Sequence, residues 1–269
     1  MHNAQNITTN DTVQYLLERG IYTITPRELA TFLQVPPSRA HYLVQKLKAR
    51  GWIQAIGGRY LVTGFEPYRL TTRPFFVAVS LVTPSYISFL TALNRYGLTE
   101  QVPFTIFVAT TVKHKPIRFG QYEFRYVLLK PSKFFGYSKQ MEDDLPILMA
   151  DPEKAVVDSF DQIRYRYGGG VQDLTKALVR GSQGAFLDPV QLVDYALRMG
   201  NKALCARLGY LARLVELSSS EVERLKGCLP KGFVPLDPAR PLNSQWNAEW
   251  RINVNVTSGE MFDWLEGVR

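Results

Sequence analysis

A double proline, Pro36-Pro37, separates two amphipathic segments, and it restricts the fold of this chain more than any other local feature. Proline removes an amide donor and forces the residue before it out of helical geometry, so a helix cannot run through this point. Upstream, Thr25-Pro26-Arg27-Glu28 reads as a capping box, with Thr25 at the cap, Pro26 at the first helical position and Glu28 returning to the cap amide. A short helix should follow, burying Leu29, Phe32 and Leu33. Downstream, residues 38–50 place Ala40, Leu43, Val44 and Leu47 on one helical face. Gly51 stops that helix, and WIQAIGGRYLV reads as two short strands joined around Gly57-Gly58. An earlier helix carries Val13, Leu16 and Leu17, with Asp11 as its expected cap and Gly20 at its end. Helix, helix, turn, helix and a two-stranded wing is the order of a winged helix-turn-helix.

Charge sharpens that reading. The formal net charge is +8, and between Leu29 and Thr99 the sole acid is Glu66 against eight basic residues. From Val112 to Lys139 seven basic residues face Glu123 alone, whereas Gln140 to Arg269 carries 15 basic and 18 acidic residues. A field concentrated in the first half attracts polyanions, nucleic acid being the usual one, although a basic face can also serve solubility alone. On an ordinary solvated helix, acids alternate with bases to form pairs one turn apart; residues 38–50 have none. If the second helix of the motif lies in a major groove, Ser38, Arg39, His41, Tyr42 and Gln45 are the candidates for base edges. Lys46, Lys48, Arg50 and the hairpin's Arg59 are then the candidates for phosphates. A domain of this plan can also serve protein contact.

Beyond a turn-rich connection, GFEPYRLTTRP, the apolar run FFVAVSLV (75–82) is expected as a buried strand. Thr83-Pro84 is expected to open a helix ending at Gly97, and FTIFVATT (104–111) to form the next strand. KPIRFGQYEFRYVLL suggests a hairpin turning near Gly120, with Tyr122, Phe124 and Tyr126 on one face. With Lys113, His114, Lys115, Arg118 and Arg125 this hairpin is a possible secondary basic surface, although a packed sheet face needs the same aromatic alternation.

ADPEKAVVDSFD (150–161) holds four carboxylates around Lys154 and resembles a metal or catalytic cluster. Asp151-Pro152 is, however, strong helix-start grammar, repeated at Asp188-Pro189, so these acids are expected to cap, face the dipole or meet water. Gly168-Gly169-Gly170 lacks the lysine of a phosphate loop and reads as a flexible turn. NKALCARLGYLARLV is an amphipathic helix, and EWRINVNV (249–256) a late strand with Arg251, Asn253 and Asn255 facing water. Cys205 and Cys228 fit no metal spacing, and the three histidines are scattered, so neither a metal nor another cofactor is expected. No run reaches the roughly 18 apolar residues of a membrane span, and a cytoplasmic location is expected.

The order of these pieces, from Gly58-x-Tyr60-x-Val62 through PSYISFLTALNRYGLTEQVP, FTIFVATT, ADPEKAVVD and NKALCARLGYLARLV to WRINVNV, resembles the AbiEi family of antitoxins of abortive-infection systems. The resemblance implies a transcriptional autorepressor whose winged domain binds inverted repeats of double-stranded DNA in its own promoter. It also implies a C-terminal domain that counters a co-encoded nucleotidyltransferase-like toxin, without requiring direct contact, and no catalytic residues. The expected architecture is α+β: a winged helix-turn-helix domain over residues 1–68, then a larger mixed α/β antitoxin domain over 69–269. Within the latter, a mixed sheet is expected over 75–130, helices over 151–227 and the late strand over 249–256.

Overall fold

The computed structural model describes residues 7–184, 186–217 and 219–266, and within them the chain is α+β with separate sheets in two units. The first unit contains α1 (Thr9–Glu18), β1 (Thr23–Ile24), α2 (Pro26–Leu33), α3 (Pro37–Ala49), β2 (Ile53–Ile56) and β3 (Arg59–Val62). Its strands form an antiparallel sheet in the order β1-β3-β2. Val13, Leu16, Ile24, Leu29, Leu43, Leu47 and Val62 are buried together between helices and sheet. The α2 capping box forms as expected, and Gln34 ends α2 in the left-handed region at φ 54°. Two local expectations change. Thr8 caps α1, and Asp11 sits three residues inside it, exchanging hydrogen bonds with Thr8 in its own capping box. Phe32 is 39% exposed because it borders a groove between α1 and α2 instead of entering the core.

The second unit is built on a six-stranded mixed sheet. Its helices and strands begin with α4 (Pro67–Thr71), α5 (Pro74–Leu81), β4 (Ser85–Ile87), α6 (Phe89–Arg95) and β5 (Thr105–Thr110). The hairpin β6 (Ile117–Phe119) and β7 (Tyr122–Leu128) turns through Gly120, and a second hairpin joins β8 (Tyr137–Glu142) to β9 (Leu145–Ala150). The strand order is β6-β7-β5-β4-β9-β8, with β5/β7 and β4/β9 parallel. A helical layer follows: α7 (Pro152–Asp161), α8 (Val171–Gln183), α9 (Pro189–Arg198), α10 (Lys202–Leu214) and α11 (Ser219–Glu223). The two-residue strands β10 (Val234–Pro235), β11 (Trp246–Asn247) and β12 (Ile252–Asn253) make a small sheet before α12 (Ser258–Glu266).

The run 75–82 is a helix, α5, instead of a strand. An unbroken apolar run carries no periodicity to decide between the two. The deciding partner is distant: the Glu142 carboxylate accepts from the Phe75 and Phe76 amides at 3.3 and 2.7 Å, capping the helix from β8. Thr83-Pro84 does not open a helix, because Ser85–Ile87 pair with β5 on one side and Ile87 with β9 on the other. The late strand is likewise shorter than expected. Asn253 and Asn255 turn inward, their amides donating to backbone carbonyls of Asn243 and Gln245 and of Asp237 and Pro241.

Close backbone approaches join these layers. Gly209 in the RLGYL segment lies under Trp250, where a Cβ would sit 2.1 Å from the indole ring. The neighbouring Arg207 is buried and donates to the Pro235 carbonyl at 3.0 Å, and burial brings its guanidinium down to about 10 despite Asp237 nearby. Gly168 is pressed on α7, where a Cβ would lie 2.0 Å from Ser159 Oγ, so the triple glycine is a tight contact and not a flexible turn. Both cysteines are free; burial first, and then the adjacent Cys228, push the Cys205 thiol up.

Candidate nucleic-acid interface

α3 forms because Pro37 takes the first helical position, where its missing amide costs nothing, and because one face buries Ala40, Leu43, Val44 and Leu47. That burial turns Ser38, His41, Tyr42, Gln45, Lys46, Lys48 and Arg50 outward, all of them exposed. Lys46 and Lys48 have no carboxylate partner among the described residues, and the Lys46 ammonium stands 5.6 Å from the Tyr42 ring centre. His41 Nδ1 donates to the Pro37 carbonyl at 2.8 Å, which leaves Nε2 for an outside partner.

Two other α3 cations are held more tightly than sequence suggests. Arg39 is half-buried: it donates to the Ile7 carbonyl at 3.0 Å, its Nε is buried without a partner, and its guanidinium stacks 5.0 Å from Tyr42. Arg50 donates to Asn10 at 3.0 Å and also to the Thr9 hydroxyl, and stacks on Trp52, tying the end of α3 to the start of α1.

The hairpin is placed differently from expectation. Gly57 and Gly58 turn it with φ 56° and 81°, and a Cβ on Gly57 would lie 2.4 Å from Ile117 of β6. Ile56 and Leu61 belong to the core of the larger unit, and Thr23 Oγ1 donates to the Ser80 carbonyl at 2.8 Å. Arg59 therefore does not project from a free tip. Its guanidinium pairs with Glu28 at 2.7 Å and donates to the Thr23 carbonyl at 3.3 Å. Burial pushes the Glu28 carboxyl up, but the Thr25 amide and Arg59 outweigh it and hold it below its ordinary value. Arg69 and Arg73 are similarly paired, with Asp144 and Asp143 of the β8–β9 turn. The acid-poor stretch of sequence thus takes acids from outside itself, Glu28 before it and Asp143 and Asp144 after it, while among the described residues the α3 lysines have no carboxylate partner.

The secondary basic surface is divided by the pleat. Tyr122, Phe124 and Tyr126 share the face toward α5; Phe124 is fully buried and the Tyr126 hydroxyl donates to the Ala78 carbonyl at 2.9 Å. Those rings pack the sheet against the interior. His114 lies 5.0 Å from the Tyr126 ring, whereas Lys113, Lys115, Arg118 and Arg125 are exposed, Arg125 paired with Glu123 at 2.6 Å.

The acidic stretch is interior. Asp151 occupies the cap position of α7, but its carboxylate accepts from Ser138 and Tyr195 hydroxyls, both at 3.0 Å, and caps nothing. Glu153 accepts from the Asp188 amide at 2.7 Å. Lys154 and Asp158, one turn apart and both 0% exposed, form an ion pair. The Tyr86 and Ser88 hydroxyls donate to the same Asp158 carboxylate at 3.0 and 2.8 Å. Burial pushes Asp158 up and Lys154 down, each partly restored by the other. Asp161 accepts from Lys133 and from Asn201. None of these carboxylates converges on open space where substrate and cation would meet. Among the described residues no group of three or more His, Cys, Asp or Glu could hold a metal ion, and no helix is long and apolar enough to cross a membrane.

No protein-family model matches this chain, and no curated protein matches it.

Proposed function

We propose that the chain is a transcriptional autorepressor and antitoxin, as its ordered motifs suggest by their likeness to the AbiEi family. Its first unit is read as a winged helix-turn-helix that binds inverted repeats through α3. Its second unit, on the same likeness, counters a nucleotidyltransferase-like toxin encoded beside it, and carries out no catalysis of its own. The observation that carries the DNA half is the exposed, carboxylate-free face of α3, with Gln45, His41 and Ser38 beside Lys46 and Lys48. Phosphates would fall to the two lysines, since Arg59 is engaged by Glu28. The inward use of Asp151, Glu153 and Asp158 supports a structural part for the acidic stretch.

The test uses the full chain. A fragment of its own promoter should be retarded by the wild type and not by Lys46→Ala/Lys48→Ala, while both restore growth against the co-expressed neighbouring gene. Loss of rescue by the α3 variant would break this division of labour. A second reading, a regulator that senses a small molecule, draws on a cleft of about 580 Å³ between the hairpin and the larger unit, lined by Glu28, Arg59, Ser80, Thr83 and His114. The two readings part on whether a nucleotidyltransferase-like frame lies next to the gene.

A further inference from the structure

The open face of the β6–β7 hairpin carries a different set of side chains from those buried under α5. Arg118 stands opposite Glu123 across β6 and β7, and Arg125 stands beside Phe107 across β7 and β5. Residues paired in register point to the same side of a sheet, so Arg118, Glu123, Arg125 and Phe107 share one face. The next row on that face is Tyr86 with Ala109 and Val127, and Tyr86 meets α7 through Asp158. Phe107 meets α6 through Phe89, ring to ring at 6.4 Å. The helices therefore cover the middle of the sheet on this side and leave Arg118 and Arg125 exposed at its β6 end.

From Phe107 a run of rings leads out of the protein. Tyr167 packs 5.6 Å from Phe107, and Tyr165 stacks on Tyr167 at 5.6 Å with an interplanar angle of 16°. Tyr165 is 63% exposed. The rings behind it are fixed: the Tyr167 carbonyl accepts from the Leu90 amide at 3.1 Å, its ring also meets Phe89 at 5.8 Å, and Gly168 clamps the turn on α7. Arg164, next to Tyr165 in the chain, is exposed, and among the described residues neither it nor Arg118 has a carboxylate partner.

A rigid aromatic step ending in an open ring, next to Arg164 in the chain and leading back through Phe107 to the sheet row that carries Arg125, Arg118 and Glu123, is how proteins hold unpaired bases: the ring stacks, the cations follow the phosphates. A duplex keeps its bases stacked inside and offers no such face along its length. We propose that this surface binds single-stranded nucleic acid, stacking a base on Tyr165 and running phosphates past Arg164, Arg125 and Arg118. The proposal does not depend on α3 or on the toxin.

The experiment is fluorescence anisotropy of the full chain with dye-labelled 12-nucleotide single strands of RNA and of DNA, at low and moderate salt. Stacking of about 1–3 kcal/mol per base corresponds to a roughly 5- to 150-fold loss of affinity for Tyr165→Ala, with Tyr165→Phe close to wild type. Arg118→Ala/Arg125→Ala should flatten the salt dependence by about 0.7 in slope for each phosphate no longer neutralised. Lys46→Ala/Lys48→Ala should leave single-strand binding unchanged, which separates this surface from α3. The RNA and DNA arms identify the sugar, and a preference for either supports the proposal. It is overturned if the wild type binds neither strand at low salt, or if Tyr165→Ala binds as the wild type does. It is also overturned if Tyr165→Ala abolishes toxin rescue while binding oligonucleotides normally, which would make the face a protein-docking surface.

Discussion

α3 and α7 are helices of 13 and 10 residues, each opened by proline at its start and each rich in charge, yet they treat that charge in opposite ways. α3 buries one apolar stripe and leaves its lysines exposed, with no acid paired to them among the described residues. α7 is enclosed by the sheet and by α9 and α10, so its carboxylates and its lysine must find partners inside the protein. Charge in a sequence therefore does not say where a charge goes. An acid-free stripe beside an apolar one predicts a binding face; an acid cluster inside an otherwise apolar segment predicts a buried network as readily as a catalytic site.

The largest effect expected from this contrast lies in α7. Removing one member of the Lys154–Asp158 pair leaves the other charge buried and unpaired, so Lys154→Ala or Asp158→Ala should each cost about 3–5 kcal/mol in urea unfolding. The apolar pair Lys154→Met/Asp158→Leu should recover part of that loss, because it removes both charges. A single variant as stable as the wild type would break the comparison.

The α3 counterpart should be the reverse: function lost, stability kept. Lys46→Ala/Lys48→Ala should flatten the plot of log affinity against log salt for duplex by about 0.9 for each phosphate no longer neutralised. The unfolding free energy should stay within about 0.5 kcal/mol of wild type. Gln45→Ala should change preference among duplex sequences more than mean affinity, since base edges and not phosphates carry sequence. Equal weakening on every duplex would remove Gln45 from the reading set.

The smallest effect belongs to α12, where a charge pair sits in water. Glu260 accepts from the Thr257 amide and pairs with Arg240, which together hold its carboxyl at about 2, below its ordinary 4.5. A lowered value in the folded state means that its contribution is present above pH 4.5 and is lost as pH falls toward about 2. The difference in thermal midpoint between wild type and Glu260→Gln should therefore shrink across that interval. A constant difference would show that the pair plays no part.

Much of the first unit was legible because its signals are local. The Thr25–Glu28 box, the Pro36-Pro37 break, the α3 stripe and the Gly57-Gly58 turn each act within a few residues. The failures came where a partner lies far along the chain. Glu142 caps α5 from 66 residues away, and Tyr86 reaches Asp158 across 72. At the candidate interface, the α3 lysines were readable from the absence of neighbouring acids, whereas the engagement of Arg59 depended on Glu28, 31 residues earlier. The Tyr165 step is not legible because RYRYGGG has no period; stacking of Tyr165 on Tyr167 adjoins a turn in which Gly168, Gly169 and Gly170 each leave no room for a Cβ.

Gly57, flush against Ile117 with no room for a methyl group, also sets how the molecule carries load. A hairpin with a free tip would flex independently of the rest of the protein. Here it is braced against β6, an edge strand of the main sheet, so the hairpin cannot shift toward that sheet without displacing Ile117.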